Sequence, residues 1–177
     1  MKRIKNLAIK IICVGVVLVI MTLGLFAGCG NQLLYNAVLY SNAKEWMNEE
    51  FLKKNLTRGS QYVNEEGEIV SADGESYLET KTFIIQSNED FNEIFTEFPP
   101  EIDFEKDMIL IYIFTTTTGI QPYDIKNVNL DGSIVKIECK LKRYSGIAKD
   151  SLSAPGQRCL VIKMDKLDIT SVEFIRK

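Results

Sequence analysis

Seven consecutive apolar residues, MILIYIF at positions 108–114, place the strongest constraint on the fold of this chain. Isoleucine and the aromatic residues favour extended backbone, and a strand without alternating polar residues is typical of one buried on both faces. We therefore expect this run to be a central strand. At 177 residues, the chain is long enough for one domain with a small additional segment.

The segments around this run carry helix and strand patterns. SNEDFNEIFTEF begins with Ser87, a favourable N-cap, and repeats apolar residues at helical spacing as far as Phe98. Asp131-Gly132 separates two alternating runs and predicts a hairpin. Two further strand patterns follow, RCLVIKMDK and SVEFIRK. Together these elements predict an α+β fold, a twisted and mostly antiparallel sheet with one or two helices packed on it.

The residues before this domain contain a helix pattern and a polar stretch. YNAVLY predicts a short strand, and Ser41 or Asn42 is a suitable N-cap for a helix that reaches about Asn55. Residues 57–76 are rich in turn signals and predict a connector. The alternative is that QYV and EIV within this stretch pair as a small hairpin at a sheet edge.

The first 28 residues have the pattern of a secretory signal peptide. Four bases and no acid lie at positions 1–10, an apolar run covers positions 11–26, and small residues precede Cys29. The sequence FAGC resembles the lipobox of bacterial lipoproteins, with Phe26 in place of the usual leucine. The resemblance implies cleavage before Cys29 and a diacylglyceryl group on its sulfur. The alternative is an uncleaved transmembrane helix, for which the run is short.

Four segments therefore follow one another: a signal peptide (1–28), a lipidated tether (29–34), a helix-containing segment with a connector (35–76) and an α+β domain (77–177). Removal of the signal peptide leaves 17 bases against 24 acids, a net charge of −7. An acidic surface is a poor match for nucleic acid or for anionic lipid headgroups. We therefore expect attachment to the membrane through the lipid on Cys29, at the extracytoplasmic face.

The chain contains no histidine, which removes the commonest general base and metal ligand. For the sequence TTTTG at positions 115–119, this leaves few possible catalytic or ligand-binding roles. A catalytic threonine needs an activating base, and a phosphate loop needs several glycines before a helix. Threonine favours extended backbone, so the four threonines predict the end of the strand, with Gly119 supplying the turn. We expect no catalytic residue, metal or cofactor here.

Acidic residues leave one catalytic alternative open. Asp103, Glu105 and Asp107 alternate just before the central strand and would share one side of it. Their spacing lacks the glycine and the terminal glutamate of a calcium loop, which favours a solvated strand entry. A carboxylate-dependent enzyme stays as an alternative.

Two cysteines remain in the domain after Cys13 is removed and Cys29 is lipidated. Alternation places Cys139 on the inward face of its strand with Ile137 and Leu141. The polar Lys163 and Asp165 share a face with Cys159, which predicts that Cys159 points outward. Because the two side chains are expected to point in opposite directions, free thiols are favoured over a Cys139–Cys159 disulfide. The extracytoplasmic compartment nevertheless permits a disulfide.

Residues 77–177 resemble the PrcB C-terminal domain family of bacterial secreted lipoproteins, which is named for a subunit of a surface protease complex. The resemblance is carried by SNEDFNEIFTEF, DFEKDMILIYIF, TTTTGIQPYDIKNV and APGQRCLVIKMDKLDITSVEF. The loop departs from the family's usual Pro-Thr-Gly-Gly-Tyr, because Ile120, Gln121 and Pro122 separate Gly119 from Tyr123. The family's late Pro-Gly element corresponds to Pro155 and Gly156.

This resemblance implies a non-catalytic binding module that stabilises or accompanies a protease outside the cell. Tyr123 would be the aromatic contact; the alternative is that it packs against its own sheet. The loop also resembles that of chagasin-type cysteine-protease inhibitors, which makes an inhibitor acting through residues 116–119 the second hypothesis. A structural role in the envelope is the third. The candidate contact residues are Thr116, Thr117, Thr118, Gly119, Tyr123, Tyr144 and Arg158.

Overall fold

The computed structural model describes residues 35–64, 66–118, 121–142 and 151–177, so that Cys29 lies outside it. None of the helices in these ranges is long and apolar enough to cross a membrane. The helical elements are a 3-10 turn (Ala43–Trp46), α1 (Glu49–Lys54) and α2 (Asn88–Ile94). The strands are β1 (Ala37–Tyr40), β2 (Gln61–Val63), β3 (Ile69–Ser71), β4 (Thr80–Ile85), β5 (Asp107–Thr118), β6 (Tyr123–Asp131), β7 (Ile134–Leu141), β8 (Ser151–Asp165) and β9 (Ser171–Arg176).

The apolar run forms the middle of β5, which lies inside the larger of two sheets. The strand order of this sheet is β3-β2-β8-β5-β4, and β1 also pairs with β8. β5 is antiparallel to both β4 and β8, and its ladder with β8 extends from Asp107↔Asp165 to Thr118↔Ser151. Every residue at positions 108–114 is at most 5% exposed, so the predicted central strand, buried on both faces, is confirmed.

One face of this sheet packs against a second sheet of three strands, in the order β6-β7-β9. Leu110, Phe114 and Leu160 from the larger sheet share a buried cluster with Val135 and Ile137 of β7. The α+β fold is as predicted, but the single sheet is wrong, because there are two. A strand that is apolar on both faces has to be shielded from water on both faces. The helices shield only one face of β5, and the second sheet shields the other.

The other face of the larger sheet is covered by the helical segments. Three isoleucines of β5 pack with both α-helices in a separate buried cluster, which we call the helix-side cluster. It includes Ile109, Ile111, Ile113, Leu52 of α1 and Ile94 of α2. The side chains of a strand alternate between its faces, so consecutive β5 residues contribute to different clusters. The described part of the chain is thus three-layered, with helices, a six-stranded sheet and a three-stranded sheet.

The hairpin between β6 and β7 forms where the sequence predicts it. Asp131 pairs with Ile134, and Gly132 adopts a positive φ of 61°, which is favourable for glycine. Alternate residues of β7 are fully buried, namely Val135, Ile137 and Cys139. The lysines at 136 and 140 have the opposite parity and point away from the core. β9 then pairs with β7 in parallel, a departure from the mostly antiparallel pattern.

The predicted helix to Asn55 is interrupted in the middle. The 3-10 turn ends at Trp46, and the next residue, Met47, has extended backbone (φ −93°, ψ 150°) and forms a β-bridge with Phe95. Asn48 then restarts the helix as an N-cap, since its Oδ1 accepts a hydrogen bond from Glu50 N at 2.9 Å. Burial of Met47 against the sheet accounts for the break, because that side chain is only 5% exposed.

α2 begins as predicted but ends early. Ser87 Oγ accepts a hydrogen bond from Asp90 N at 3.2 Å, which confirms the N-cap. The helix stops at Ile94, four residues before Phe98, because Phe95 turns to extended backbone for the bridge to Met47. The aromatic residue after the helix therefore packs in the helix-side cluster instead of prolonging the helix.

Part of the polar stretch before the domain is ordered sheet. β2 and β3 pair through Gln61↔Ser71, Tyr62↔Val70 and Val63↔Ile69, so the hairpin alternative is correct. Gln61 also pairs with Gly156 of β8. Residues on both sides of position 76 thus belong to one sheet, within a compact unit that runs from Leu33 to Lys177.

Truncation on either face of β5 tests the three-layer arrangement. Leu110→Ala should open a cavity between the sheets and Ile111→Ala one beneath the helices, each lowering the free energy of unfolding by roughly 2–5 kcal/mol. Leu78→Ala is the control, since Leu78 is 58% exposed and its truncation should cost less than about 0.5 kcal/mol. Urea denaturation followed by circular dichroism measures all three. A core variant as stable as the control would contradict burial on that face.

Candidate functional site

Four strand ends converge at one end of the two sheets, which we call the loop end. Thr118 at the end of β5 pairs with Ser151 at the start of β8, and Tyr123 at the start of β6 pairs with Leu141 at the end of β7. Lys142 N donates a hydrogen bond to Pro122 O at 2.8 Å. The two connections that carry the predicted contact residues therefore leave the sheets at the same end. Gly119 and Tyr144 lie outside the described residues.

The first threonine has a structural role. Thr115 Oγ1 lies 2.8 Å from Thr57 Oγ1 in a hydrogen bond, and Ser60 Oγ donates to Thr57 O at 2.8 Å. Thr57 and Ser60 are fully buried, so the threonine pair and the Thr57 carbonyl satisfy these hydroxyls where water is excluded. The segment after α1 thereby covers the helix-side face of β5 at its threonine end.

The next two threonines differ in exposure. Thr116 pairs with Gly156 in the β5–β8 ladder and is half-buried. The register then shifts between Thr116 and Thr118, and Thr117 is exposed. Among these three, Thr117 therefore presents its side chain most openly, from a strand whose preceding residues are fixed in the core.

Tyr123 is placed in the core and not at the surface. Its side chain is 8% exposed, and its ring meets Phe114 edge to face at 5.9 Å between centroids. The backbone is held as well, because Tyr123 N donates to Ser41 Oγ at 3.0 Å. Of the two placements that the sequence leaves open for Tyr123, the structure has packing against its own sheet and not the exposed aromatic contact.

Arg158 is likewise a packing residue. It is 8% exposed, and its guanidinium carbon lies 5.2 Å from the centroid of the Tyr123 ring. Nη2 donates to Gln121 O at 2.6 Å, which fastens the residues that precede β6. Burial lowers the pKa of Arg158 from its usual value. The predicted surface contact is corrected: Arg158 holds the loop end in shape from beneath.

Arg176 is the residue of the loop end that sequence reasoning missed. It is exposed, and its guanidinium carbon lies 4.2 Å from the centroid of the Phe114 ring, a cation–π contact. A signal was present in SVEFIRK, because Arg176 has the same parity as the half-buried Val172 and Phe174. Strands normally place apolar residues on the face toward the core and polar residues on the other face. An arginine on the core-facing side departs from this alternation, and such departures often mark functional positions.

A basic cleft of about 690 Å³ opens beside Arg176. Lys140 is exposed there and forms no ion pair with any described residue, whereas Lys177 is paired with Glu138 at 2.9 Å. The Arg176 guanidinium also hydrogen-bonds the side chain of Tyr112, and its remaining N–H groups, on an exposed residue, suit a carboxylate. The cleft is lined by Tyr123, Lys140, Leu141, Arg176 and Lys177.

Two of the three acids at the entry to β5, Asp103 and Asp107, are engaged by lysines. Asp103 Oδ2 accepts a hydrogen bond from Lys106 Nζ at 2.6 Å, which lowers the pKa of that carboxyl, and Asp107 is paired with Lys163 at 2.9 Å. Glu105 N donates to Asp103 Oδ1 at 3.1 Å. In the parts of the chain that the structure describes, no three acidic or cysteine side chains are grouped to hold a metal. This arrangement gives the carboxylate alternative no support.

The two cysteines lie in different cores. Cys139 belongs to the cluster between the sheets and Cys159 to the helix-side cluster, and both are free thiols. Cys159 is on the face predicted, but that face is covered by helices, so Cys159 is 1% exposed instead of outward. Burial raises the pKa of each thiol to about 12. Neither thiol is therefore suited to act as a nucleophile near neutral pH.

Comparison with known proteins adds no relative: no family model matches this chain, and no curated protein or solved structure matches it. The resemblance to the PrcB C-terminal domain family thus stays a prediction from residues. Function has to be argued from the chemistry of the loop end, because a fold alone does not determine it.

Thiol reactivity tests the placement of the cysteines. In the mature chain with Cys29→Ser, Cys139 and Cys159 should be unreactive toward a disulfide reagent at pH 8, because each pKa lies near 12. In denaturant without reductant, both should react rapidly. One fast-reacting thiol in the native protein, or none after unfolding, would contradict two buried free cysteines.

Proposed function

We propose that this chain is a non-catalytic protein-binding module that stabilises or accompanies a surface or secreted protease. A lipid on Cys29 would hold it at the extracytoplasmic face of a bacterial membrane. The loop end is its contact surface, and the partner presents carboxylates to the basic cleft.

The observation that carries this proposal is the basic cleft on an acidic chain. The mature chain has a net charge of −7, yet Lys140 and Arg176 lie together at the loop end, neither of them ion-paired with a described residue. A local charge opposite to that of the whole chain favours one direction of approach and suits a partner with acidic side chains. Arginine beside aromatic rings is also typical of interface centres.

The sheet geometry supports the family resemblance at this same place. Thr116, from the threonine–glycine loop, pairs directly with Gly156, from the late Pro-Gly element. Two separate pieces of the resemblance are therefore neighbours across one ladder.

Inhibition of a protease is the second proposal. The exposed Thr117, next to a ladder that fixes Thr116, suits a loop that enters a protease cleft. Tyr123 cannot contribute as expected, since it is buried. An inhibitor and an accompanying subunit would use the same surface and differ in their effect on protease activity.

Variants of the loop end test the binding function. Lys140→Glu and Thr117→Glu should each reduce recovery of the protease partner from detergent-solubilised envelope by about tenfold or more, because the introduced carboxylate repels the carboxylates of the partner. Lys44→Glu is the control, since Lys44 is also exposed and is not ion-paired with a described residue. Quantitative mass spectrometry of the captured proteins measures the loss.

Equal recovery by the two loop-end variants and the control would overturn the loop end as the contact surface. If the partner is recovered selectively, its peptidase activity with and without the chain distinguishes the two proposals. A fall to a small fraction favours inhibition, whereas unchanged or prolonged activity favours an accompanying subunit.

Cys29→Ser tests the lipid anchor separately. Without the sulfur there is no site for the diacylglyceryl group, so the protein should leave the membrane fraction and remain folded in the soluble fraction. Fractionation with immunoblotting and metabolic labelling by a fatty acid measure this. Retention of Cys29→Ser in the membrane would instead favour the uncleaved transmembrane helix.

A further inference from the structure

β4 is an open edge of the larger sheet. The strand order ends at β4, which pairs with β5 and with no other described strand. Within the described residues, no backbone group of β4 forms a hydrogen bond beyond its ladder with β5. Alternate N–H and C=O groups of the strand therefore face outward, ready to pair with another extended chain.

A groove with an apolar floor lies along this edge, between β4 and the two α-helices. Its volume is about 520 Å³. Phe51 of α1 meets Phe83 of β4 edge to face at 5.2 Å between centroids, and both rings are half-buried. Ile85 and Ile94 are buried at its base. An extended segment added to β4 would direct every second side chain into this groove.

The rim of the groove is acidic. Glu50 of α1 and Asp90 and Glu93 of α2 are exposed along it, and none of the three forms an ion pair with a described residue. Lys54 is the single base among the lining residues. The three carboxylates outnumber it, so the rim favours cationic side chains.

We propose that the β4 edge and its groove dock an extended protein segment in which basic and apolar side chains alternate. Backbone pairing with β4 supplies the register. The basic side chains enter the groove, where their aliphatic stems cover its apolar floor and their charged groups meet the acidic rim, and the apolar side chains point to the opposite face. This site is separate from the loop end and selects the opposite charge. A second copy of the chain is disfavoured here, because pairing β4 with β4 would bring two acidic rims together.

A labelled hexapeptide, Lys-Val-Arg-Val-Lys-Val, is the probe, and fluorescence anisotropy with the whole chain in a neutral detergent is the measurement. Wild type should bind it saturably, and the double variant Glu50→Lys plus Glu93→Lys should weaken binding at least tenfold, because the rim charge is reversed. The matched control is Glu66→Lys plus Glu75→Lys, two exposed acids outside the groove, and it should bind like wild type. Thr117→Glu should also bind like wild type, which separates this site from the proposed function.

Backbone pairing is tested with two further peptides, N-methylated at the odd or at the even residues. One of them should lose binding and the other keep it, since only one edge of the peptide pairs with β4. Equal binding by both methylated peptides, or equal losses in the rim variant and its control, would overturn the proposal. So would a dimer of the chain, seen by sedimentation, that the peptide does not dissociate.

Discussion

The pairing of β5 with β8 is the constraint on which the rest of the structure depends. The ladder joins the two longest strands, and its central residues are buried on both faces. Each face then requires its own cover. The helical segments cover the isoleucines at 109, 111 and 113, whereas the β6–β7–β9 sheet covers Leu110, Tyr112 and Phe114. The three layers follow from one apolar strand.

The same ladder explains why the loop end is well defined. β5 passes without interruption from the core to Thr116, and the Phe114 ring lies under both Tyr123 and Arg176. Arg158, opposite Phe114 in the ladder, fastens the chain that enters β6. Core packing thus fixes the positions from which Thr117 and the basic cleft are presented. A surface held in this way loses little conformational entropy on binding.

Sequence patterns predicted those structural elements that are determined by residues close to one another in the chain. The run at 108–114, the Asp131-Gly132 turn and the Ser87 cap depend on residues close in the chain. The second sheet does not, because alternation in β7 identifies an apolar face without identifying what covers it. The placement of Tyr123 stayed open and that of Arg158 was wrong for the same reason. An amphipathic side chain suits surface or core, and Phe114, elsewhere in the chain, decides between them.

Site-specific photo-crosslinking in the intact envelope is the most direct measurement of the central claim, that the loop end contacts a protein partner. A benzophenone amino acid would replace Thr117 or, at the opposite end of β6, the exposed Asn129. The account predicts a discrete protein adduct from position 117 and none from position 129. Adducts of equal yield from both positions, or from position 129 alone, would contradict it.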